Sequence, residues 1–305
     1  MQNTTKKDNL IGSLLLLLTA FIWGSAFVAQ STGAEYVGPF TFICLRNVLG
    51  AVILLPVIFT LDTIKKKNGT YQKFGKKDYK TLFIGGAFCG IALCFASVFQ
   101  QLGIDEGTEP GKAGFITALY ILLVPIFSLF LKKKVRPVIW LCVAVSVVAL
   151  YLLCVKEDNS IRMSDIYVLI CAALYSVHIL IIDNFSPKTD GVRLSAVQFA
   201  VASVLSLVPA VIFEGIDLKA ILAAAPSVAY AGIMSSGVAY TLQIVAQKRT
   251  EPTLASMIMS LESVFAVLTS LVILHQVPSF REAVGCVLMF GAIIVAQLPD
   301  RKRKS

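Results

Sequence analysis

The chain has 305 residues, 57% of them hydrophobic and only 15% charged, with a formal net charge of +9 and a mean hydropathy of +0.80. Soluble domains carry about 25% charged residues, so this balance excludes an ordinary water-soluble globule and asks for a bilayer as solvent. The positive charge sits in short loops beside apolar runs, where an anionic lipid surface attracts it; with no aromatic-interleaved soluble domain, nucleic acid is excluded as a partner.

A helix crosses about 30 Å of hydrocarbon in about twenty residues, and the apolar material falls into ten runs near that length. The first, 10–30, contains "FIWGSAFVAQ" without a small-residue cleavage pattern, so it reads as a span and not as a leader. Trp23 lies near its middle, away from the interfacial belts tryptophan favours; its N–H needs a partner there and its ring offers a stacking wall. The second run, 39–61, holds Arg46 in "TFICLRNVLG", about 10 Å inside its end. Exposed to lipid, that charge would cost at least about 2.5 kcal/mol. Arg46 therefore either takes an anionic group in an interior cavity or bridges backbone carbonyls near the outer surface.

The third run, 81–103, has Gly85, Gly86 and Gly90 for close helix approach and ends on Gln100 and Gln101, expected to meet interfacial water. The fourth, 113–131, follows a Glu109–Pro110 opening, proline being tolerated in a first helical turn. It carries Tyr120, and Pro125 predicts a kink. The fifth run is 137–155. The sixth, 165–182, bears Tyr175 and His178, and the seventh, 194–213, bears Gln198. His178 is either an interhelical donor or a group titrating near neutrality. The eighth, 221–245, has Ser235, Ser236 and Gly237 for close packing, then Tyr240, with Gln243 and Gln247 at its end. The ninth, 254–274, contains Glu262, the one acid deep in an apolar run, readable as proton carrier, amine counter-ion, partner of Arg46 or interhelical hydrogen-bonding group. His275 reads as surface, and the tenth run is 282–298. All seven cysteines fall within these runs and read as small buried hydrophobes.

With ten crossings and an inside amino terminus, 21 of the 27 lysines and arginines fall on one side and five on the other, Arg46 being intramembrane. Positive loops face the cytoplasm, which predicts a multi-pass protein of the cytoplasmic membrane with both termini inside.

The chain also repeats itself. A shift of 142 residues superposes Glu109 on Glu251, Pro110 on Pro252, Leu119 on Leu261 and Gln101 on Gln243; a shift of about 152 superposes Ala20 on Ala172 and Trp23 on Tyr175. Two units, 10–155 and 164–298, each of five spans, must enter the membrane from opposite sides. The expected fold is an all-α integral membrane protein of ten transmembrane helices in two inverted five-helix repeats, an arrangement suited to exchanging outward-open and inward-open states.

The strings "FIWGSAFVAQ", "TFICLRNVLG", "GTEPGKAGFITALYILLVPIFSLFLKKKVRP" and "TLASMIMSLESVFAVLTSLVIL" together resemble the EamA-type transporters of the drug/metabolite transporter superfamily over about residues 10 to 298. The resemblance implies a bacterial inner-membrane carrier with a central cavity between its halves, exporting amino acids and related metabolites or, less often, importing them or exporting drugs. Trp23 and Arg46 match the family's tryptophan and arginine. Leu261 and Glu262 match its Leu-Glu-Pro signature, but Ser263 replaces the proline, and the helix ends in His275 and Gln276 where the family has an acid.

The expected substrate cavity is Trp23, Arg46, Tyr120, Tyr175, His178, Gln198, Tyr240 and Glu262, for a small-molecule substrate and with Glu262 available for proton coupling. An exporter of lipophilic cations and a non-transporting receptor or scaffold are the alternatives. The sequence has no paired intramembrane carboxylates, His/Asp cluster or phosphate loop, so neither an enzyme nor a metal or cofactor is expected.

Overall fold

The computed structural model describes residues 6–108, 110–154, 162–274 and 278–298. Among these residues the regular structure is entirely helical. Nine helical stretches are long and apolar enough to cross a bilayer: Leu10–Ala34, Pro39–Lys67, Lys76–Asp105, Lys112–Phe130, Met163–Lys188, Gly191–Glu214, Ala225–Gln247, Pro252–Thr269 and Phe280–Gln297. The shorter apolar helix Pro137–Leu153 stands between the fourth and the next of these. Counted in chain order, with that helix fifth, they are the ten spans of a multi-pass membrane protein. Glu109, Lys156, His275, Gln276, Val277 and the basic tail 301–304 lie outside the described residues, as does the side chain of Cys154.

Large apolar side chains such as Phe59, Phe130 and Phe213 point outward. In water they would form an aggregating surface; in a bilayer they are the lipid face, while backbone polar groups are satisfied within each helix. Cys44, Cys89, Cys94, Cys142 and Cys171 are free and buried, and Cys286 is half-buried.

The packing follows the repeat. The second span packs on the seventh and the fifth on the tenth; the third packs on the sixth and seventh, the eighth on the first and second; the fourth meets the sixth, and the ninth meets the first. Moving every helix five places along the chain maps this set of neighbours onto itself, as two inverted copies require.

The second and seventh spans, antiparallel partners, are tied at both ends. At one end the Glu214 carboxylate accepts from the backbone N–H groups of Phe40 (2.8 Å) and Thr41 (2.7 Å) and from the Thr41 hydroxyl (2.6 Å). At the other, Arg193 donates to Asp62 at 2.5 Å and Lys65 pairs with Asp190 at 3.1 Å. A shift of 152 carries Thr41 onto Arg193 and Asp62 onto Glu214. Each helix thus ends on a carboxylate that holds the start of the other.

The fourth and ninth spans are broken, at equivalent places. The fourth consists of Pro110–Ala118 and Tyr120–Phe130 with Leu119 between, and the ninth of Pro252–Met259 and Glu262–Leu274 with Ser260 and Leu261 between. At both breaks the leucine N–H bonds a carbonyl three residues back, Leu119 to Ile116 and Leu261 to Ile258, each at 3.2 Å. Pro125 lies inside the second half of the fourth span, six residues beyond the break. The ninth span breaks with no proline near; there the Ser260 hydroxyl donates back to the Met257 carbonyl at 2.7 Å, competing with the regular helical bond.

Candidate functional site

The two breaks face one another across the centre of the molecule. Trp23, Ala26, Phe27 and Gln30 recur at the spacing of one helical face and line a central cavity, joined by Arg46, Tyr120, Tyr175, His178, Tyr240 and Glu262 from five other spans. The free space is about 30 Å³, room for about two water molecules and too little in this conformation for a metabolite-sized ligand.

Arg46 is 3% exposed, yet its partners are neutral. Nε donates to Ser236 Oγ at 3.2 Å, Nη1 to Gln30 Oε1 at 3.3 Å and Nη2 to Ser235 Oγ at 2.9 Å. All are side-chain oxygens, which replaces the bridge to backbone carbonyls near the surface that the sequence left open. The reason is the eighth span, whose segment Tyr230–Tyr240 is wound in wide π turns and turns both serines toward the second span. Close approach there depends on Gly232, where a Cβ would meet the Leu49 side chain and the Arg46 carbonyl.

Glu262 is equally buried and accepts a hydrogen bond from the Tyr120 hydroxyl at 3.0 Å. Arg46 and Glu262 line the same cavity without forming an ion pair; the ion pairs among the described residues involve other groups. A buried charge without a counter-charge is costly, and here a cation and an acid each rest on neutral hydroxyl or amide groups.

Between them stands an aromatic wall. The Trp23 ring lies 4.7 Å from that of Tyr240, and the Trp23 N–H reaches the Ser235 carbonyl at 3.5 Å. Tyr240 donates to the Tyr175 hydroxyl at 3.0 Å, and Tyr175 shares a 3.1 Å hydrogen bond with Ser97.

Gln198 departs from expectation: it lies one layer behind the cavity, 3.1 Å from His178 Nε2, and fixes the imidazole that does line it. A shift of 152 places Gln198 where the first repeat has Arg46, so the inward cation belongs to the first half only. The four glutamines expected at interfacial water are buried instead. Gln100 donates to Thr117 Oγ1 at 3.0 Å, Gln101 to the Gln30 carbonyl and Gln247 to the Ile179 carbonyl, both at 3.1 Å, while Gln243 and Gln100 line the cavity. Their helices continue further than the apolar runs, to Asp105 and Gln247. Sequence reasoning also passed over Gln30, Thr117 and Met259; the helical spacing Trp23, Ala26, Phe27, Gln30 was the signal for the first of these.

The sequence profile described as the EamA-like transporter family matches the chain twice, over residues 10–155 and 162–297. The chain belongs to the EamA-like transporter family. It is therefore a membrane transporter of the drug/metabolite transporter superfamily, meeting lipid and a small-molecule substrate. Similar proteins include an uncharacterized transporter of Archaeoglobus fulgidus, 28% identical over 95% of this chain and 86% of that one. The uncharacterized transporter YoaV of Bacillus subtilis is 23% identical over 95% of this chain and 97% of its own length. A solved crystal structure superposes with a TM-score of 0.74 at 20% identity, covering 96% of this chain and 99% of the other, a likeness of fold. In this EamA protein the ninth span breaks at Leu261 even though Ser263 stands where the resemblance led one to expect proline.

Proposed function

We propose that this transporter is a secondary carrier exporting small zwitterionic metabolites, α-amino acids being the substrate class, by alternating access between its halves 10–155 and 164–298. The observation that carries the reading is the pair Arg46 and Glu262, a base and an acid, lining one cavity and held by neutral partners. A substrate carboxylate would take the guanidinium fork and its ammonium the Glu262 carboxylate, with Trp23 and Tyr240 covering the side chain. Without substrate, Glu262 is the group to carry a proton back. The broken fourth and ninth spans support a site at the repeat interface. The basic loops favour a cytoplasmic membrane location with both termini inside. Arg46 in the cavity weighs against lipophilic cations, which a guanidinium would repel.

Purified protein in liposomes, assayed with radiolabelled amino acids and a quaternary-amine dye under an imposed pH gradient, tests this. Amino-acid flux without dye flux is expected. Dye flux alone would replace the substrate class, and ligand binding without any flux would make the protein a receptor.

A further inference from the structure

A second cavity, of about 380 Å³, opens on the face that carries the basic loops. It lies between the loop joining the second and third spans, the loop joining the sixth and seventh, and the end of the eighth. Lys65, Lys73, Lys188, Arg193 and Lys248 line it against Asp62, Asp78 and Asp190. The three carboxylates are already engaged. Asp62 holds Arg193 at 2.5 Å; Asp190 holds Lys65 at 3.1 Å and accepts the Arg193 backbone N–H at 3.0 Å; Asp78 accepts the Gly75 N–H at 2.9 Å.

Three lysines from three separate segments have no carboxylate in ion-pair distance among the described residues. Lys188 donates to the Asn184 side-chain carbonyl at 2.7 Å and Lys248 to the Thr189 carbonyl at 2.6 Å, while Lys73 stands on the exposed loop. The Thr189 hydroxyl, on the same lining, is buried with no hydrogen-bond partner. Burial holds the Lys248 ammonium below the ordinary lysine range, Asp190 offsetting part of that and Lys65 and Arg249 adding to it. On Asp190 burial pushes upward but is outweighed by the Arg193 amide and Lys65, which keep that carboxylate low and already committed. Topology needs basic residues near the membrane; it does not need them to converge on one cavity.

We propose that this cavity binds a phosphoryl anion, with Lys73, Lys188 and Lys248 supplying charge and the Thr189 hydroxyl a donor. Several ammonium groups around one space suit a group with more than one charge and three or four acceptor oxygens better than a single carboxylate. A soluble phosphate ester and an anionic phospholipid headgroup share this chemistry.

The full chain in phosphatidylcholine nanodiscs would be titrated calorimetrically with inorganic pyrophosphate, against sodium chloride of matched ionic strength. In parallel, nanodiscs with added phosphatidylglycerol would be examined for selective lipid retention by native mass spectrometry. Saturable pyrophosphate binding identifies a soluble ligand, and selective phosphatidylglycerol retention identifies a lipid one. Either should weaken about tenfold in K248Q and about threefold in K73Q, an exposed-loop change that leaves folding intact, and be unaffected in K134Q, a basic residue outside the cavity. Absence of both signals, or signals indifferent to K73Q and K248Q in proteins of unchanged melting temperature, overturns the proposal.

Discussion

Tyr120 and Glu262 stand 142 residues apart, at the same place in the two repeats, and are hydrogen-bonded to each other at 3.0 Å. Two symmetry-related residues can touch only where the axis relating them passes between them, so this bond marks the centre of the inverted repeat. Each residue directly follows the break in its span. The backbone irregularity and the polar contact it frees are therefore one feature, present twice and meeting itself. The two copies differ in chemistry, a phenol on one side and a carboxyl on the other, which makes the centre asymmetric enough to orient a substrate.

Tyr120→Phe removes the one side-chain donor to Glu262 among the described residues and leaves a buried carboxyl without it, so it should cost about 1–3 kcal/mol of stability. Glu262→Gln keeps an acceptor for Tyr120 and should fold normally, but its flux should no longer respond to an imposed pH gradient. Thermal melting in detergent and gradient-driven liposome flux separate the two effects. A Glu262→Gln protein that still follows the gradient would remove Glu262 from coupling.

Arg46→Gln should leave the fold intact, because its partners Gln30, Ser235 and Ser236 are neutral and no carboxylate is orphaned. Substrate affinity should fall about 10- to 100-fold, the worth of a hydrogen-bonded charge contact. Arg46→Lys should recover only part of that, since one ammonium cannot reproduce the planar fork. Equilibrium binding of radiolabelled amino acid to purified protein is the measurement; unchanged affinity in both variants would place the substrate elsewhere.

The ties between the second and seventh spans predict opposite effects from equivalent residues. Asp62→Asn loosens the end at the basic loops, and Glu214→Gln loosens the other end. Partly buried pairs of this kind are worth about 0.5–1 kcal/mol, a two- to fivefold change in a two-state balance. With Met259→Cys as a cavity reporter in a cysteine-free background, Asp62→Asn should raise thiol labelling from the basic face and Glu214→Gln from the opposite one. Equal labelling in both would mean that the pair moves as one rigid body.

The parts of this architecture that the bilayer dictates were legible in the sequence. A hydrocarbon layer of fixed thickness forces runs of about twenty apolar residues and makes every polar group within them conspicuous, which is why Trp23, Arg46, Tyr120, Tyr175, His178, Tyr240 and Glu262 could be picked out before their cavity was seen. What sequence could not supply was direction around each helix axis. Gln198 and His178 are equally deep, yet only the imidazole reaches the cavity, because the neighbouring helix places the amide behind it. Gln100, Gln101, Gln243 and Gln247 were assigned to interfacial water because apolar runs end before helices do; all four are buried, and Gln100, Gln101 and Gln247 donate between spans. The breaks at Leu119 and Leu261 were likewise not legible, since the one at Leu261 arises without a proline near it.

Gly24 sits beside Trp23 at the point where the first span crosses the break of the ninth. A Cβ there would stand 2.5 Å from the Glu262 carbonyl oxygen and 2.9 Å from the Ala266 nitrogen, both backbone atoms that cannot swing aside. Gly24→Ala should therefore push the two spans apart, displacing Trp23 and Glu262 together, at about 1–3 kcal/mol. Gly291, in the tenth span, has nothing within 4 Å of its would-be Cβ, so Gly291→Ala should be neutral or stabilise by up to about 1 kcal/mol through helix propensity. Melting temperatures of the two alanine variants in the same detergent test the contrast. Equal shifts would show that the first and ninth spans are not in contact at Gly24, and with that the cavity around Arg46 and Glu262 would lose its wall.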